Sequence, residues 1–157
     1  MTSPPDRRRQ RGSVLLLFPA AILIVVVLAA ISVDSAAAFL AQRELAGAVA
    51  AAANDAATEG LANRAFYEED RIELDSGAAA RVAEDEVRRA LDPARYRDLQ
   101  VQVSVTPSSP GCPPVVTVRA RATVDAIFAR ALPGSGGDVH VTAASQARPR
   151  SAAGARC

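Results

Sequence analysis

Few residues of this sequence could take part in chemistry, and none of them stands in a recognised catalytic arrangement. His140, the only histidine, falls on the polar side of a predicted strand, and Ser108 and Ser109 lack the G-x-S-x-G context of a hydrolase nucleophile. The sequence holds no phosphate-binding glycine motif and no H-E-x-x-H zinc motif. An enzyme needs a base beside a nucleophile or a metal, so the sequence predicts a non-enzymatic protein without a cofactor.

The two cysteines, Cys112 and Cys157, are the candidates for covalent chemistry. They lie in neither a C-x-x-C motif nor a cluster with histidine, so no zinc site is indicated. Outside the cytoplasm they could form a disulfide, and closing a loop of about 46 residues would stabilise the fold by roughly 2–4 kcal/mol. A free Cys157, or a disulfide between subunits, is the alternative.

Charged residues give weaker signals. Carboxylates between residues 60 and 80 offer oxygen ligands for a calcium ion, but they lack the order and the glycine of an EF-hand loop, so a solvated loop or helix face is the simpler interpretation. These carboxylates are Glu68, Glu69, Asp70, Glu73 and Asp75. The formal net charge is only +1, and no aromatic residues are interleaved with Arg119 and Arg121, so no nucleic-acid partner is expected.

An apolar run from Val14 to Val33 dominates the sequence. As a helix its twenty residues would span about 30 Å, the thickness of the hydrocarbon core of a bilayer. Fourteen of them are Leu, Ile, Val or Phe, which favours membrane insertion by roughly 4–8 kcal/mol. Pro19 stands near the start of the run, where a kink is tolerable. The run predicts a single transmembrane helix over residues 14–33.

The charges at the two ends of this run predict its orientation. Residues 1–13 carry four arginines, whereas Asp34 follows the run. By the positive-inside rule, residues 1–13 form a basic segment in the cytoplasm and the chain after residue 34 lies outside the cell membrane. The alternative is a secretory signal peptide that is removed by cleavage after Ala38.

The helix is expected to continue beyond the membrane. Residues 34–59 contain no proline and are rich in alanine, the best helix former. Small residues allow a close approach by helices of other subunits, although the segment could instead pack on the adjoining sheet of its own chain. The residues predicted to make helix packing contacts are Phe39, Leu45, Gly47, Val49 and Ala53.

Residues 60–147 predict a small α+β domain outside the membrane, followed by a tail over residues 148–157. Apolar residues at a spacing of three to four follow Ser76, the expected N-cap of a helix that ends at Asp92. The period then changes to two, which indicates half-buried strands in a three-stranded antiparallel sheet. The strands are predicted over residues 99–105, 116–126 and 139–143.

Residues 11–58 resemble the N-terminal region of the TadE/TadG-like proteins of the Tad (Flp) pilus assembly system. Like members of that family, this sequence has an aspartate after its long apolar helix, then a Leu-Ala-x-Arg-x-Leu stretch, then an alanine-rich segment that contains aspartate. The order of these features carries the resemblance, which covers about a third of the chain. In this sequence an Arg-Gly-Ser-Val start stands at residues 11–14, and the three other features stand at residues 33–34, 39–45 and 50–57.

The resemblance implies a minor pilin-like or pilus assembly component of the cell membrane, whose N-terminal helix packs against other pilin-like or pilus assembly subunits. It also marks Gly12 and Ser13 as a possible processing site. The fifth residue from Ser13 is Leu17, where pilins of this system have glutamate, and this departs from the family pattern. An anchored or secreted extracytoplasmic binding module, unrelated to pili, is the alternative function.

Overall fold

The computed structural model describes residues 11–60, 74–109, 112–131 and 137–149. In these residues the chain forms the α+β arrangement expected from the sequence, with a long apolar N-terminal helix, a second helix and a three-stranded antiparallel sheet. The elements are α1 (Arg11–Glu59), α2 (Ser76–Ala90), β1 (Arg97–Thr106), β2 (Val115–Asp125), a 3-10 turn (Ala129–Ala131) and β3 (Asp138–Ala147).

Some predictions fall on residues outside the described part of the chain. These are most of the basic segment, the acidic residues 68–73, Cys157, and the tail from residue 150 onward. Cys112 is disulfide-bonded, but its predicted partner Cys157 lies outside the described residues, so the pairing stays a prediction. Gly12 and Ser13 lie in the first turn of α1, and their processing is likewise still a prediction.

α1 is one continuous helix of 49 residues, about 74 Å long at 1.5 Å per residue. It passes through Asp34 without a break, so the predicted segments 14–33 and 34–59 are parts of a single rod. Pro19 lies inside this helix. An 18-residue window of α1 has a mean hydropathy of 2.5, and none of that window is buried. The helix is therefore long and apolar enough to cross a membrane.

The sheet is a meander in the order β1-β2-β3 with antiparallel neighbours. Val103 lies opposite Val118 and Ala120 lies opposite Ala143, so the apolar residues of all three strands share the face that packs on the helices. β3 is longer than predicted, because Gln146 and Ala147 still pair with the start of β2.

α2 begins at Ser76, one residue earlier than an N-cap at Ser76 would allow, and its N-cap is Asp75. Oδ1 of Asp75 accepts hydrogen bonds from the backbone N–H groups of Gly77 at 2.8 Å and Ala78 at 3.0 Å. These bonds, the one from Ala78 above all, lower the pKa of Asp75. The prediction of Ser76 as N-cap is wrong, because the carboxylate one residue earlier satisfies the free amides of the first turn.

The core is built mainly from alanine and valine. The outer half of α1 lies across the sheet beside α2, with its largest fully buried side chains at Leu45 and Val49. Around them α1 contributes the small buried residues Ala41, Ala48, Ala52, Ala53, Ala56 and Ala57. Because small side chains let a helix approach a sheet closely, this core needs few large residues.

This burial bears on the predicted packing contacts of α1. Leu45, Val49 and Ala53 are covered by their own chain, in keeping with the alternative that this segment packs on its own domain. Their spacing of four residues puts them on one face of the helix, and this face lies in the core that α1 forms with the sheet and α2. Phe39 and Gly47 are exposed, so they are available for contacts outside the chain.

Candidate functional site

A group of polar contacts that fix the domain to α1 lies between Asp34 and Glu44, at the point where the exposed part of the helix ends. Three polar side chains of α1, those of Asp34, Gln42 and Glu44, bind three separate parts of the domain. Together they set the position and orientation of the domain on the helix.

Asp34 binds the loop that follows β2. One carboxylate oxygen, Oδ1, accepts hydrogen bonds from the backbone N–H groups of Ile127 at 2.8 Å and Phe128 at 2.9 Å. The other oxygen, Oδ2, accepts from Ala129 at 2.7 Å. The bond from Phe128 contributes most to a lowered pKa of Asp34, because backbone N–H donors stabilise the ionised carboxylate.

This loop is shaped so that its amides converge on one point. The backbone N–H of Ala126 donates to the carbonyl of Gly137 at 2.7 Å, and the N–H of Ala131 donates to the carbonyl of Phe128 at 2.9 Å. Gly137 has a φ of 63°, and a Cβ placed there would lie 2.6 Å from Cβ of Arg130. Glycine is therefore needed at residue 137, both for its positive φ and for close packing on the 3-10 turn.

Gln42 binds the edge of the sheet. Its side-chain oxygen accepts a hydrogen bond from the backbone N–H of Thr142 at 3.2 Å, and its Nε2 donates to the carbonyl of the same residue. β3 is an edge strand, and the amide of Gln42 pairs with it much as a neighbouring strand would.

Glu44 and Tyr96 connect α1 to the turn between α2 and β1. The Tyr96 hydroxyl donates toward Oε2 of Glu44 at 2.9 Å and toward the carbonyl of Ala41 at 3.1 Å, and Arg95 pairs with the same Oε2 at 2.8 Å. Burial, followed by the bond to Glu44, raises the pKa of Tyr96 to about 12. Tyr96 is thus a neutral, buried anchor between helix and sheet.

The stretch of residues 39–45, which carried the family resemblance, divides between two surfaces. Gln42, Glu44 and Leu45 bind the domain of the same chain, whereas Phe39, Leu40 and Arg43 are exposed. Sequence reasoning missed the partners of Asp34 and Tyr96. The available signal for Asp34 was its position directly after twenty apolar residues, where a carboxylate tends to be paired.

The remaining chemistry-bearing residues are not brought together. His140 lies on the outer face of the sheet, where its Nδ1 is 3.3 Å from the hydroxyl oxygen of Thr123. In the part of the chain that the structure describes, no group of His, Cys, Asp or Glu could hold a metal ion. Arg121 binds Gln100 on the same outer face.

Exposed large apolar side chains are concentrated at one end of the domain. Among the described residues they lie on α1 from Leu17 to Leu40 and at two loop positions, Ile127 and Phe128. The loop positions are next to Asp34, so both groups meet where the exposed part of the helix joins the domain.

These features define a small α+β domain packed and hydrogen-bonded on a partly uncovered apolar helix. Comparison of the chain with protein-family models, with curated proteins and with solved structures gives no match. A function therefore has to be argued from the residues themselves and from the resemblance of residues 11–58.

Proposed function

We propose that this protein is a structural or assembly component of a Tad/Flp-type pilus, anchored in the cell membrane and minor pilin-like, which acts through packing of its N-terminal helix. Its partners are the lipid bilayer and other pilin-like or assembly subunits. Residues 14–33 cross the membrane, the basic N-terminus is cytoplasmic, and the domain lies outside.

The observation that carries the proposal is the division of α1 into two halves. From Leu17 to Val33 its large side chains are exposed on every side, whereas from Ala41 onward one face is buried in the domain. An all-round apolar helix needs an apolar surrounding, which is a membrane or a bundle of helices. Ser32, the one hydroxyl in the run, donates to the carbonyl of Leu28 at 2.8 Å, so its hydrogen bond is satisfied without water.

The contacts of Asp34 support retention of the helix over removal as a signal peptide. Cleavage after Ala38 would detach Asp34 from the chain and leave the amides of residues 127–129 without their acceptor. The same cleavage would cut α1 three residues before Ala41, whose carbonyl accepts from Tyr96.

The pilus assignment rests on the resemblance of residues 11–58 and on the uncovered face of α1 beyond Leu40. Gly47 lies on that face, about 160° around the helix axis from the buried Leu45, and no atom lies within 4 Å of a Cβ built there. Ala46 and Ala51 are exposed beside it. Small side chains of this kind permit close packing of a second helix.

One observation favours the alternative, an anchored extracytoplasmic binding module. Burial of Leu45, Val49 and Ala53 in the chain's own core explains why α1 continues past residue 34 without any neighbour. Contacts at Gly47 therefore distinguish the two functions, since the domain does not use that position.

The test is photocrosslinking in the native membrane, with a benzoylphenylalanine introduced at Arg43, an exposed residue one turn before Gly47 on the same face of α1, so that Gly47 itself stays small. The pilus proposal predicts adducts with a second copy or with another pilin-like subunit. A matched probe at Gln102, which is exposed on the outer face of the sheet, should give none. A monomeric species from both probes would support the binding module instead.

The N-terminus of the mature protein is the second measurement. Ser13 as first residue would indicate prepilin-like processing, and an intact N-terminus would indicate a simple anchor. Phe39 as first residue would mean that the apolar helix is discarded, which would end the proposal.

A further inference from the structure

We propose that Ile127 and Phe128, together with Phe39 and Leu40 of α1, form an apolar ring that rests in the outer interface of the bilayer, so that the domain sits directly on the membrane. This inference rests on the proposed membrane anchor and adds a second lipid contact to it.

The height of Ile127 and Phe128 along α1 matches the membrane interface, and Phe39 and Leu40 stand at its outer edge. Asp34 directly follows the predicted span, and the backbone of Ile127 and Phe128 lies within hydrogen-bond distance of its carboxylate. Phe39 and Leu40 are five and six residues further on, about 8–9 Å along the axis at 1.5 Å per residue. The polar interface of a bilayer extends roughly 5–8 Å beyond its hydrocarbon core on each side.

The ring surrounds the helix, which favours lipid over a protein partner. Phe39 lies about 140° around the axis from Asp34, and Leu40 lies about 120° from it in the other direction. Ile127 and Phe128 occupy the third side, that of Asp34. A protein partner would cover one side, whereas lipid surrounds the helix and meets all three sides.

The exposure of the two loop residues is built into the fold. Ile127 and Phe128 are 56% and 46% exposed, although Asp34 holds their amides and Gly137 packs under the 3-10 turn. Large apolar side chains held in this position are unfavourable in water, and their transfer into the membrane interface is favourable.

The charges nearest the ring are paired with each other. Arg97 binds both Asp125 and Asp138, and Arg130 lies 3.6 Å from Asp125. Because these pairs leave no free cationic group among the described residues beside the loop, the contact should not depend on anionic lipid.

Tryptophan scanning tests the ring, because the native chain contains no tryptophan. Full-length variants Phe128→Trp, Leu23→Trp and Gln102→Trp are reconstituted in phosphatidylcholine vesicles, and tryptophan emission is compared with and without brominated lipid. We expect strong quenching for Leu23→Trp in the span, clear quenching for Phe128→Trp, and none for Gln102→Trp. Addition of phosphatidylglycerol should leave this pattern unchanged.

The three variants separate the possible failures. Quenching of Leu23→Trp without quenching of Phe128→Trp would overturn the ring and leave the anchor intact, whereas loss of both would overturn the anchor itself. If emission of Phe128→Trp is blue-shifted only at high protein density and is insensitive to brominated lipid, a second copy covers the loop and the lipid proposal is wrong. Quenching of Gln102→Trp would also overturn it, because the domain would then lack a fixed orientation.

Discussion

Replacement of Gly47 should have opposite effects on the isolated chain and on its assembly. Gly47 lies in the interior of α1, on the face that the domain leaves uncovered, and a Cβ there meets nothing within 4 Å. Glycine in an exposed helix interior costs about 0.8–1.0 kcal/mol relative to alanine. Gly47→Ala and Gly47→Leu should therefore both raise the stability of the domain, with a shift in Tm of about 4–8 °C per kcal/mol.

The two variants differ in bulk, and this separates folding from association. If a neighbouring helix approaches Gly47 closely, leucine must be accommodated at a tight contact, which costs about 1–3 kcal/mol. Association should then weaken roughly five- to 150-fold, since 1.4 kcal/mol corresponds to a factor of ten. Alanine, with a single added methyl group, should weaken association much less than leucine.

Thermal unfolding by circular dichroism measures the first effect, and energy transfer between labelled copies in vesicles measures the second. Gln102→Leu serves as the control for an added apolar side chain on a different exposed surface. If Gly47→Leu associates as well as Gly47→Ala does, then helix packing at this face is not how the protein assembles. If neither variant gains stability, the uncovered state of Gly47 in the free chain is itself refuted.

Three further predictions concern the contacts between helix and domain. Tyr96→Phe should lower the free energy of unfolding by about 0.5–1.5 kcal/mol. Because folding raises the pKa of Tyr96 to about 12, this tyrosine ionises first in the unfolded chain, and the free energy of unfolding of the native protein should fall from pH 10 to 12. Denaturant titrations should show no such fall in the variant. Asp34→Ala should speed amide exchange at residues 127–129 more than Asp34→Asn does. Because the pKa of Asp34 is lowered, protection of these amides in the native protein should persist at every pH above the usual pKa of aspartate and disappear only below it. Unchanged exchange in Asp34→Ala would refute the role of the Asp34 carboxylate as acceptor for these amides. Gly137→Ala should cost about 1–3 kcal/mol in chemical unfolding, and a neutral result would contradict its packing on Arg130.

The elements of this fold could be predicted because their patterns are local. The alternation in β1 and β2 and the three-to-four spacing in α2 each depend on neighbouring residues, and the structure confirms all three. The N-cap was misplaced by one residue because Ser76 and Asp75 are both good caps, and only geometry decides which carboxylate or hydroxyl reaches the amides.

The contacts of α1 could not be predicted in the same way. Asp34 and its partners are more than 90 residues apart in sequence, and no local pattern reports such a distance. The spacing of four residues between Leu45 and Val49 correctly marked a packing face. Periodicity does not say, however, whether that face is covered by the same chain or by another subunit. The structure buries that face in the chain's own core, against the sheet and α2.

The scarcity of large side chains in the core explains the length of α1. A buried alanine removes little apolar surface from water, whereas a buried Leu, Val or Phe side chain contributes about 1.5–3 kcal/mol. A domain whose helix offers mainly alanine to the sheet therefore needs more turns to reach the same stability, and residues 41–57 supply about five of them. The extension of α1 past residue 34 is thus explained by the domain itself. What the domain leaves unexplained is the opposite face around Gly47, and the case for a pilus subunit depends on what covers that face.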